Sequence, residues 1–155
     1  MTTVVNNTQV RLLALGRKVD RATSNIAQTG DLTLFNVTGG RVIITSIVGT
    51  VSTIIQAQAN AIKLKSVPTT GTAKDISGTL DINAFEVGAL VSLDGTALST
   101  ALSGTNAGAA LAPARAGILV PIGAIKMNAA ASNTGQMSWS ITYVPYDDAA
   151  TVAAA

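Results

Sequence analysis

The segment Gln136-Met-Ser-Trp-Ser-Ile-Thr-Tyr143 has the clearest pattern in the chain. Large apolar side chains alternate with serine and threonine along it, and this period of two is typical of a strand with one buried face. Residues 123–129 precede it and the turn residues 132–135 lie between the two, so we predict a β-hairpin with a half-buried second strand. Trp139 falls in phase with its apolar neighbours, which favours core packing over a sugar-stacking role.

Strand signals continue upstream of this segment. Residues 32–37 alternate apolar and polar side chains, as a strand with one buried face does. Residues 41–51 are typical of a long strand buried on both faces for part of its length. In residues 60–66 two lysines share one face, which predicts a half-exposed strand. Strands that recur about every 8 to 12 residues between turn signals are typical of sandwiches and barrels. We therefore predict an all-β, single-domain antiparallel β-sandwich or barrel (jelly-roll/tulip-like) with an N-terminal arm.

The first 30 residues differ from the rest in charge. Residues 1–30 hold four of the ten bases and a single acid, Asp20, so we expect a basic N-terminal arm. Apolar residues between 12 and 26 fall at helical spacing, but Gly16 and Ala22-Thr-Ser-Asn25 are unfavourable in a helix interior. A helical arm and a partly extended arm both stay open.

The remainder divides into two regions. Residues 31–148 carry the strand signals and form the predicted β domain, and residues 149–155 form a predicted mobile C-terminal tail. The low-complexity residues 96–114 within the β domain are expected to form a long surface loop that lies on a neighbouring molecule.

Composition limits the chemistry available to this chain. It has 155 residues, no histidine, no cysteine and only 12% charged residues, although 48% are hydrophobic. Disulfide frameworks, zinc sites with Cys or His ligands, thiol nucleophiles and Ser-His-Asp triads are therefore excluded. We expect no enzyme activity, no catalytic residue, no cofactor and no metal site. The adjacent acids Asp147 and Asp148 lack the spacing of a calcium loop, which favours a solvated turn.

Membrane and nucleic-acid binding are also disfavoured. The uncharged stretch 42–62 is long enough to span a bilayer, but its many β-branched and polar residues favour a buried strand. The N-terminus lacks a basic region followed by an apolar one, so we expect no signal peptide. Aromatic residues are only 3% of the chain and no three bases are consecutive, which is unfavourable for nucleic-acid recognition.

One charged group stands out. The N-terminal arm contains four bases that are close together in sequence: Arg11, Arg17, Lys18 and Arg21. They form either a solvated face or a docking arm that meets an acidic partner, and the sequence favours neither. The high apolar content and low charge of the whole chain indicate that part of its surface is covered by other subunits.

Several motifs together resemble a known family. They are Leu34-Phe-Asn-Val-Thr-Gly-Gly-Arg-Val-Ile-Ile44, Gly49-Thr-Val51, Gln56-Ala-Gln-Ala-Asn60 with Lys63-Leu-Lys-Ser66, and Gly135-Gln-Met-Ser-Trp139 with Tyr143-Val-Pro-Tyr-Asp-Asp148. Over about residues 30 to 150, the chain resembles the capsid decoration (cement) proteins of tailed bacteriophages. The resemblance implies a β-rich homotrimer, made in the host cytoplasm, that sits on the outside of the head and bridges neighbouring capsomers.

This resemblance sets the functional expectation. We expect a structural virion protein that binds the outer capsid surface, with the major capsid protein shell as partner, and stabilises the mature head. Arg11, Arg17, Lys18 and Arg21 are then the candidate capsid contacts. The alternative is a head-fibre or tail-tip type β module that binds a receptor or glycan. Such a module needs exposed aromatic or polar clusters on its loops, and residues 96–114 have neither.

Overall fold

The computed structural model describes residues 6–93, 102–105 and 117–155. Over these residues the chain forms one helix and twelve strands. Their bounds are α1 (Asn7–Leu15), β1 (Arg17–Asn25), β2 (Gly30–Thr38), β3 (Val42–Thr53), β4 (Ala61–Pro68), β5 (Lys74–Asp75), β6 (Leu80–Asp81), β7 (Leu90–Leu93), β8 (Leu102–Thr105), β9 (Ile118–Val120), β10 (Gly123–Ala129), β11 (Gln136–Pro145) and β12 (Thr151–Ala154).

The strands form two antiparallel sheets that pack together. Sheet A has the order β1-β11-β3-β7-β8, and β9 also pairs with β3. Sheet B has the order β12-β2-β10-β4-β5, and β6 also pairs with β4. The all-β antiparallel sandwich predicted from the sequence is therefore confirmed.

The core lies between the sheets and is centred on Trp139 of β11. This side chain is 1% exposed, which confirms its prediction as a core residue. Gly49 lies opposite it on β3, and a Cβ at that position would come within 2.9 Å of the indole ring. The glycine thus makes room for the largest side chain of the core. Fully buried residues from both sheets complete this core: Leu34, Phe35, Ile44, Ile47, Ile62, Leu64, Ile125, Met127, Met137 and Ile141.

The predicted hairpin of 123–143 is wrong in its pairing. Both strands exist, but β10 pairs with β2 and β4 in sheet B, whereas β11 pairs with β1 and β3 in sheet A. The connection 130–135 therefore crosses from one sheet to the other. Both β10 and β11 must place alternate apolar side chains in the core. Two strands in facing sheets do so as well as two adjacent strands of one sheet, so the sequence pattern does not distinguish these arrangements.

The N-terminal region also differs from the prediction. The helical alternative holds for Asn7–Leu15, and the extended alternative holds for Arg17–Asn25. The extended segment pairs with β11, so the β domain begins at residue 17 and not at residue 31. Gly16 separates them with φ of +88°, a conformation that favours glycine. A Cβ at Gly16 would lie 2.3 Å from the carbonyl oxygen of Tyr143, so only glycine allows the chain to pass so close to β11.

The C-terminal residues predicted as a mobile tail are instead ordered into the sandwich. Strand β12 pairs with β2 over four residues, and Val152 is 7% exposed with its side chain in the core. The segment is too short for a recognisable alternation, so the sequence signal was absent. Within the predicted loop 96–114, Leu102–Thr105 pairs with β7 as β8, and the rest of that loop lies outside the described residues.

A pair of adjacent substitutions tests the placement of β12. Val152→Asp should lower the free energy of unfolding by about 3 kcal/mol because it places a carboxylate in the apolar core. Ala153→Asp, its exposed neighbour, should cost less than about 1 kcal/mol. Urea denaturation followed by tryptophan fluorescence measures both. Equal stabilities of the two variants would contradict the burial of β12.

Candidate functional site

Charge is divided unequally between the two sheets. In sheet A, the strands β3, β7, β8, β9 and β11 contain no Asp, Glu, Lys or Arg, and charge is confined to the edge strand β1. The strands of sheet B carry seven charged residues: Asp31, Lys63, Lys65, Lys74, Asp75, Asp81 and Lys126. The strands of sheet B are therefore more highly charged than the central strands of sheet A, so the two outer faces differ in polarity.

Hydroxyl groups line the outer face of sheet A. Ser138, Ser140 and Thr142 of β11 are half-buried there, and each lies opposite a polar or aliphatic residue of β3. Thr142 shares a 2.8 Å hydrogen bond with the hydroxyl of Thr45. Ser140 instead donates a 2.8 Å hydrogen bond to the carboxylate of Asp20 on the edge strand β1. A neutral hydroxyl pair such as Thr142–Thr45 loses little when a partner covers it, whereas a desolvated charge costs much more.

An apolar row continues this face at one end of the sheet. Val144 lies opposite Ile43, and Ile43 lies opposite Leu119 on the next strand. Val144 is 41% exposed and Leu119 is 50% exposed. We call the hydroxyl-lined surface and this row together the sheet A face. Contiguous exposed surface without charge is a common feature of protein contact sites.

The outer face of sheet B is built from ion pairs. The ammonium of Lys63 lies 2.8 Å from a carboxylate oxygen of Asp75, and that of Lys65 lies 3.4 Å from Asp31. Asn128 donates a 2.7 Å hydrogen bond to Asp31, and this bond, together with Lys65, lowers the pKa of that carboxyl. Such partly exposed pairs are well solvated, so this face is suited to water.

Helix α1 stands beside the sheet A face. Its last carbonyl, of Leu15, accepts a 2.6 Å hydrogen bond from the Thr45 hydroxyl. At its start, Asn6 and Gln9 form a capping box. The helix nevertheless buries none of its residues. Isolated helices shorter than about 12 residues are marginal in water, so α1 lacks the packing that normally stabilises such a helix.

The structure brings three of the four candidate capsid contacts together. Arg11, Arg17 and Lys18 line a small hollow of about 60 Å³ between α1 and the start of β1. Lys18 also forms a 2.7 Å ion pair with Asp20, and this hydrogen bond is the main reason that the pKa of Asp20 is lowered. The positive charge of the hollow is therefore carried mainly by the two arginines.

The fourth candidate, Arg21, lies elsewhere. It is the cross-strand partner of Trp139 and so occupies the core side of β1, where it is only partly exposed. Its Nη1 donates to the Ser24 hydroxyl, and its buried Nε has no hydrogen-bond partner among the residues that the structure describes. Burial lowers the pKa of the Arg21 guanidinium. A run of bases in sequence had suggested one group, but alternation along the strand points Arg21 away from Lys18.

Sequence reasoning missed an ion pair at the end of the sandwich. Asp147 accepts hydrogen bonds from the backbone N–H of Arg41 at 2.7 Å and from its guanidinium at 2.9 and 2.8 Å. The guanidinium also lies 4.6 Å from the ring centre of Tyr146. The predicted turn is present, since the N–H of Ala150 donates a 2.9 Å hydrogen bond to the carbonyl of Asp147, but the Asp147 carboxylate is paired with Arg41 instead of being only solvated. No local signal existed, because the two partners are 106 residues apart in sequence.

This ion pair borders a cleft of about 310 Å³. Turns from both sheets surround it, and its lining is Gly40, Arg41, Thr69, Thr70, Pro121, Ile122 and Asp147. We call it the end cleft. Thr69 donates a 2.9 Å backbone hydrogen bond to Ile122, which ties two of the turns together.

Side-chain amides hold the loops at the opposite end. Asn60 donates to the carbonyl of Ala131 at 2.9 Å and accepts from its N–H at 3.0 Å, while Asn133 donates to the carbonyl of Gln58 at 2.8 Å. These bonds join the loop after β3 to the loop after β10. The motif Gln56-Ala-Gln-Ala-Asn60 therefore has a structural role in this chain.

Neither a metal centre nor a membrane span is visible in the part of the chain that the structure describes. No three acidic side chains there lie close enough to hold a metal ion, and its nine-residue helix is too short to cross a bilayer. Comparison with protein-family models, curated proteins and solved structures found no match to this chain.

Removing the Asp147 carboxylate should change how stability depends on pH. Arg41 lowers the pKa of Asp147 from about 3.8 to about 2, first through the side-chain hydrogen bonds and then through the backbone one. A carboxyl with a depressed pKa stabilises the fold above pH 4 and loses this contribution between about pH 4 and pH 2. Asp147→Asn should therefore be less stable at pH 7 and lose less stability over that interval.

The matched control is Asp148→Asn, which removes the same charge from the neighbouring exposed residue. Thermal midpoints between pH 7 and pH 2 measure both variants. A pH profile of Asp147→Asn that parallels the unmodified protein would contradict a structural role for this ion pair.

Proposed function

We propose that this protein is a structural virion component that binds the outside of a tailed-phage capsid, as the capsid decoration family does, and stabilises the mature head. The observation that carries the proposal is the division of charge between the outer faces. The sheet A face has no charged residue on β3, β7, β9 or β11 and includes an apolar row, and its charges, Lys18 and Asp20, lie on the edge strand β1, whereas the outer face of sheet B is covered by ion pairs. A protein that lies flat on a shell has one face that the shell covers and one face that solvent covers. A weakly charged face suits the first position and an ion-paired face suits the second.

The sheet A face suits the shell because covering it costs little free energy. Its central strands present neutral hydroxyls, of which Thr142 is paired with Thr45, and its apolar row gains from leaving water. The Asp20 carboxylate that Ser140 binds lies at the edge of the face and is paired with Lys18. Sheet B would then face solvent. Its pairs Lys63–Asp75 and Lys65–Asp31 keep the outside of a decorated head polar.

The hollow lined by Arg11, Arg17 and Lys18, here called the basic hollow, adds a directional contact to this docking. It borders the same side of the sandwich as the sheet A face, and the ion pair of Lys18 with Asp20 offsets one of its three positive charges. An acidic shell surface would attract this corner over a distance of about 10 Å and orient the incoming subunit. Because Arg21 points to the core side of β1, it is not part of this contact.

Stabilisation then follows from mass action. A protein that binds the expanded shell and not its disassembled subunits shifts the equilibrium toward the intact head. Three linked copies at one three-fold position multiply weak contacts into a tight one. The proposed homotrimer on the outer capsid surface acts through these contacts and requires no catalysis.

Placing one charge on each outer face tests the docking surface. Thr50→Glu introduces a carboxylate on the sheet A face, and Thr33→Glu does so on the outer face of sheet B; both threonines are half-buried strand residues. Thr50→Glu should weaken binding to mature heads by at least about tenfold, or ~1.4 kcal/mol, because the charge must be desolvated. Thr33→Glu should bind within about twofold of the unmodified protein.

Co-sedimentation with mature heads that lack the protein, at several protein concentrations, gives these affinities. Circular dichroism confirms that both variants are folded. Equal binding by the two variants would exclude the sheet A face as the docking surface.

A charge reversal tests the basic hollow. Arg17→Glu should weaken head binding and flatten its dependence on NaCl between about 50 and 300 mM, since an attractive charge pair is lost. Lys74→Glu makes the same change on an exposed residue of sheet B and should leave both quantities unchanged. The same co-sedimentation assay serves for both variants. An unaltered salt dependence in Arg17→Glu would remove the hollow from the mechanism.

A further inference from the structure

The end cleft is built from turns and not from strands. Its lining residues come from the turns after β2, β4, β9 and β11. Binding residues often lie on loops that a rigid scaffold holds in place. A β module that binds a receptor or glycan needs an exposed polar or aromatic cluster on its loops, which residues 96–114 do not supply. Folding assembles such a cluster at the end cleft from residues as distant in sequence as Arg41 and Asp147.

The lining of the end cleft combines apolar surface with hydroxyl groups. Pro121 and Ile122 are both exposed and supply the apolar part. Thr69 and Thr70 are also exposed and add two hydroxyls. The backbone N–H of Thr69 donates a 2.9 Å hydrogen bond to the carbonyl of Ile122, which fixes the two turns relative to each other. Apolar surface with a few placed polar groups is the usual composition of a small-molecule site.

Arg41 and Asp147 add a planar polar group to this lining. The guanidinium donates to the two carboxylate oxygens at 2.9 and 2.8 Å, and the two side chains remain 50% and 36% exposed. A guanidinium has five N–H groups. Within the part of the chain that the structure describes, Asp147 is the only acceptor that the Arg41 side chain binds. The pair therefore presents donors and acceptors side by side to a ligand, while the ring of Tyr146 packs 4.6 Å from the guanidinium.

The charges of the end cleft cancel each other. Among the described lining residues, Asp147 is the only acid and Arg41 the only base, and the two are paired. Arg41 lowers the pKa of Asp147 to about 2, so both groups are charged at neutral pH. A cation or an anion would gain little net attraction from such a pair. A purely apolar ligand would cover the exposed N–H groups of Arg41 without replacing their hydrogen bonds to water, which costs free energy.

We infer that the end cleft binds a neutral saccharide. A sugar ring has C–H groups on its faces and hydroxyls around its edge, and each hydroxyl both donates and accepts. Neighbouring hydroxyls accept from the Arg41 guanidinium and donate to the Asp147 carboxylate, while a C–H face packs against Ile122. The cleft volume of about 310 Å³ is at the lower limit of small-ligand sites, which suits one or two sugar rings.

The site is ordered before a ligand arrives. The backbone N–H of Arg41 donates a third hydrogen bond to Asp147, at 2.7 Å. Gly40 allows this close approach, since a Cβ there would lie 2.7 Å from the Cβ of Asp147. Ordered groups lose little conformational entropy on binding, but one sugar ring has few atoms, so we expect a Kd of about 1 mM.

The inference goes beyond the proposed function and does not rest on it. None of the described residues that line the end cleft belongs to a strand of sheet A. Docking on a shell through the sheet A face and saccharide binding in the end cleft therefore use different residues.

An NMR titration of the ¹⁵N-labelled protein tests the site. The neutral probes are maltotriose, mannotriose, galactobiose and chitotriose, and the acidic probe is sialyllactose. At least one neutral probe should shift the amide signals of Thr70 and Ile122 with a Kd of about 1 mM, and leave those of Asn60 and Asn133 at the opposite end unchanged. Sialyllactose should not bind more tightly, because the cleft has no net charge.

Three outcomes of this titration would overturn the inference. They are no shift with any neutral probe up to about 20 mM, shifts centred on Asn60 and Asn133, and tighter binding of sialyllactose than of every neutral probe.

Two variants test the two parts of the lining. Arg41→Lys keeps a positive charge beside Asp147 but removes the planar fork, and it should weaken saccharide binding by at least about tenfold. Ile122→Asn removes apolar surface from a residue that is 40% exposed, so it should fold normally and weaken binding by about fivefold. The matched controls outside the cleft are Arg17→Lys and Val87→Asn, which should bind within about twofold of the unmodified protein. Equal affinities for all four variants would overturn the site.

Co-sedimentation with heads separates this inference from the proposed function. Saccharide binding is measured without heads, so its absence would overturn the inference and leave the docking in place. Arg41→Lys and Ile122→Asn should bind heads as the unmodified protein does, since the docking surface does not include them. Loss of head binding in both variants would overturn the assignment of the end cleft to a saccharide in favour of a shell contact.

Discussion

The packing of Trp139 against Gly49 is the constraint on which the sandwich depends. Trp139 lies on the central strand β11, and the glycine opposite it leaves just enough room for the indole between the sheets. With that side chain fixed inward, alternation places Ser138 and Ser140 outward. The hydroxyl-lined surface of β11 is therefore the reverse side of the core, and the same alternation places both.

The separation of charge follows from the same alternation. Sheet B has lysines and aspartates at its outward positions, and they neutralise one another across neighbouring strands, as in Lys63–Asp75. The central strands β3 and β11 of sheet A have mainly serine and threonine at the equivalent positions, and Lys18 and Asp20 lie on its edge strand β1. Either choice of side chain is compatible with folding. The proposed docking through sheet A would use this difference, because its central strands could be covered without desolvating a charge.

Helix α1 and the end cleft extend this pattern to the end of the sandwich. The helix is capped and held through Leu15, yet its leucines remain uncovered. Arg41 and Asp147 hold one wall of the end cleft in place, and no residue of α1 lines the cleft.

Local sequence determined the all-β class, the inward position of Trp139 and the absence of histidine and cysteine chemistry, because alternation and composition are properties of neighbouring residues. It also identified Arg11 and Arg17 as exposed bases. Only the tertiary structure decided that β10 and β11 lie in opposite sheets and that residues 151–154 form an edge strand. It also decided that Arg21 lies on the core side of β1 and that Arg41 forms an ion pair with Asp147. The physical reason is that alternation shows which side of a strand is buried but not which strand lies beside it. Partners as distant as 106 residues are chosen only when the whole core closes.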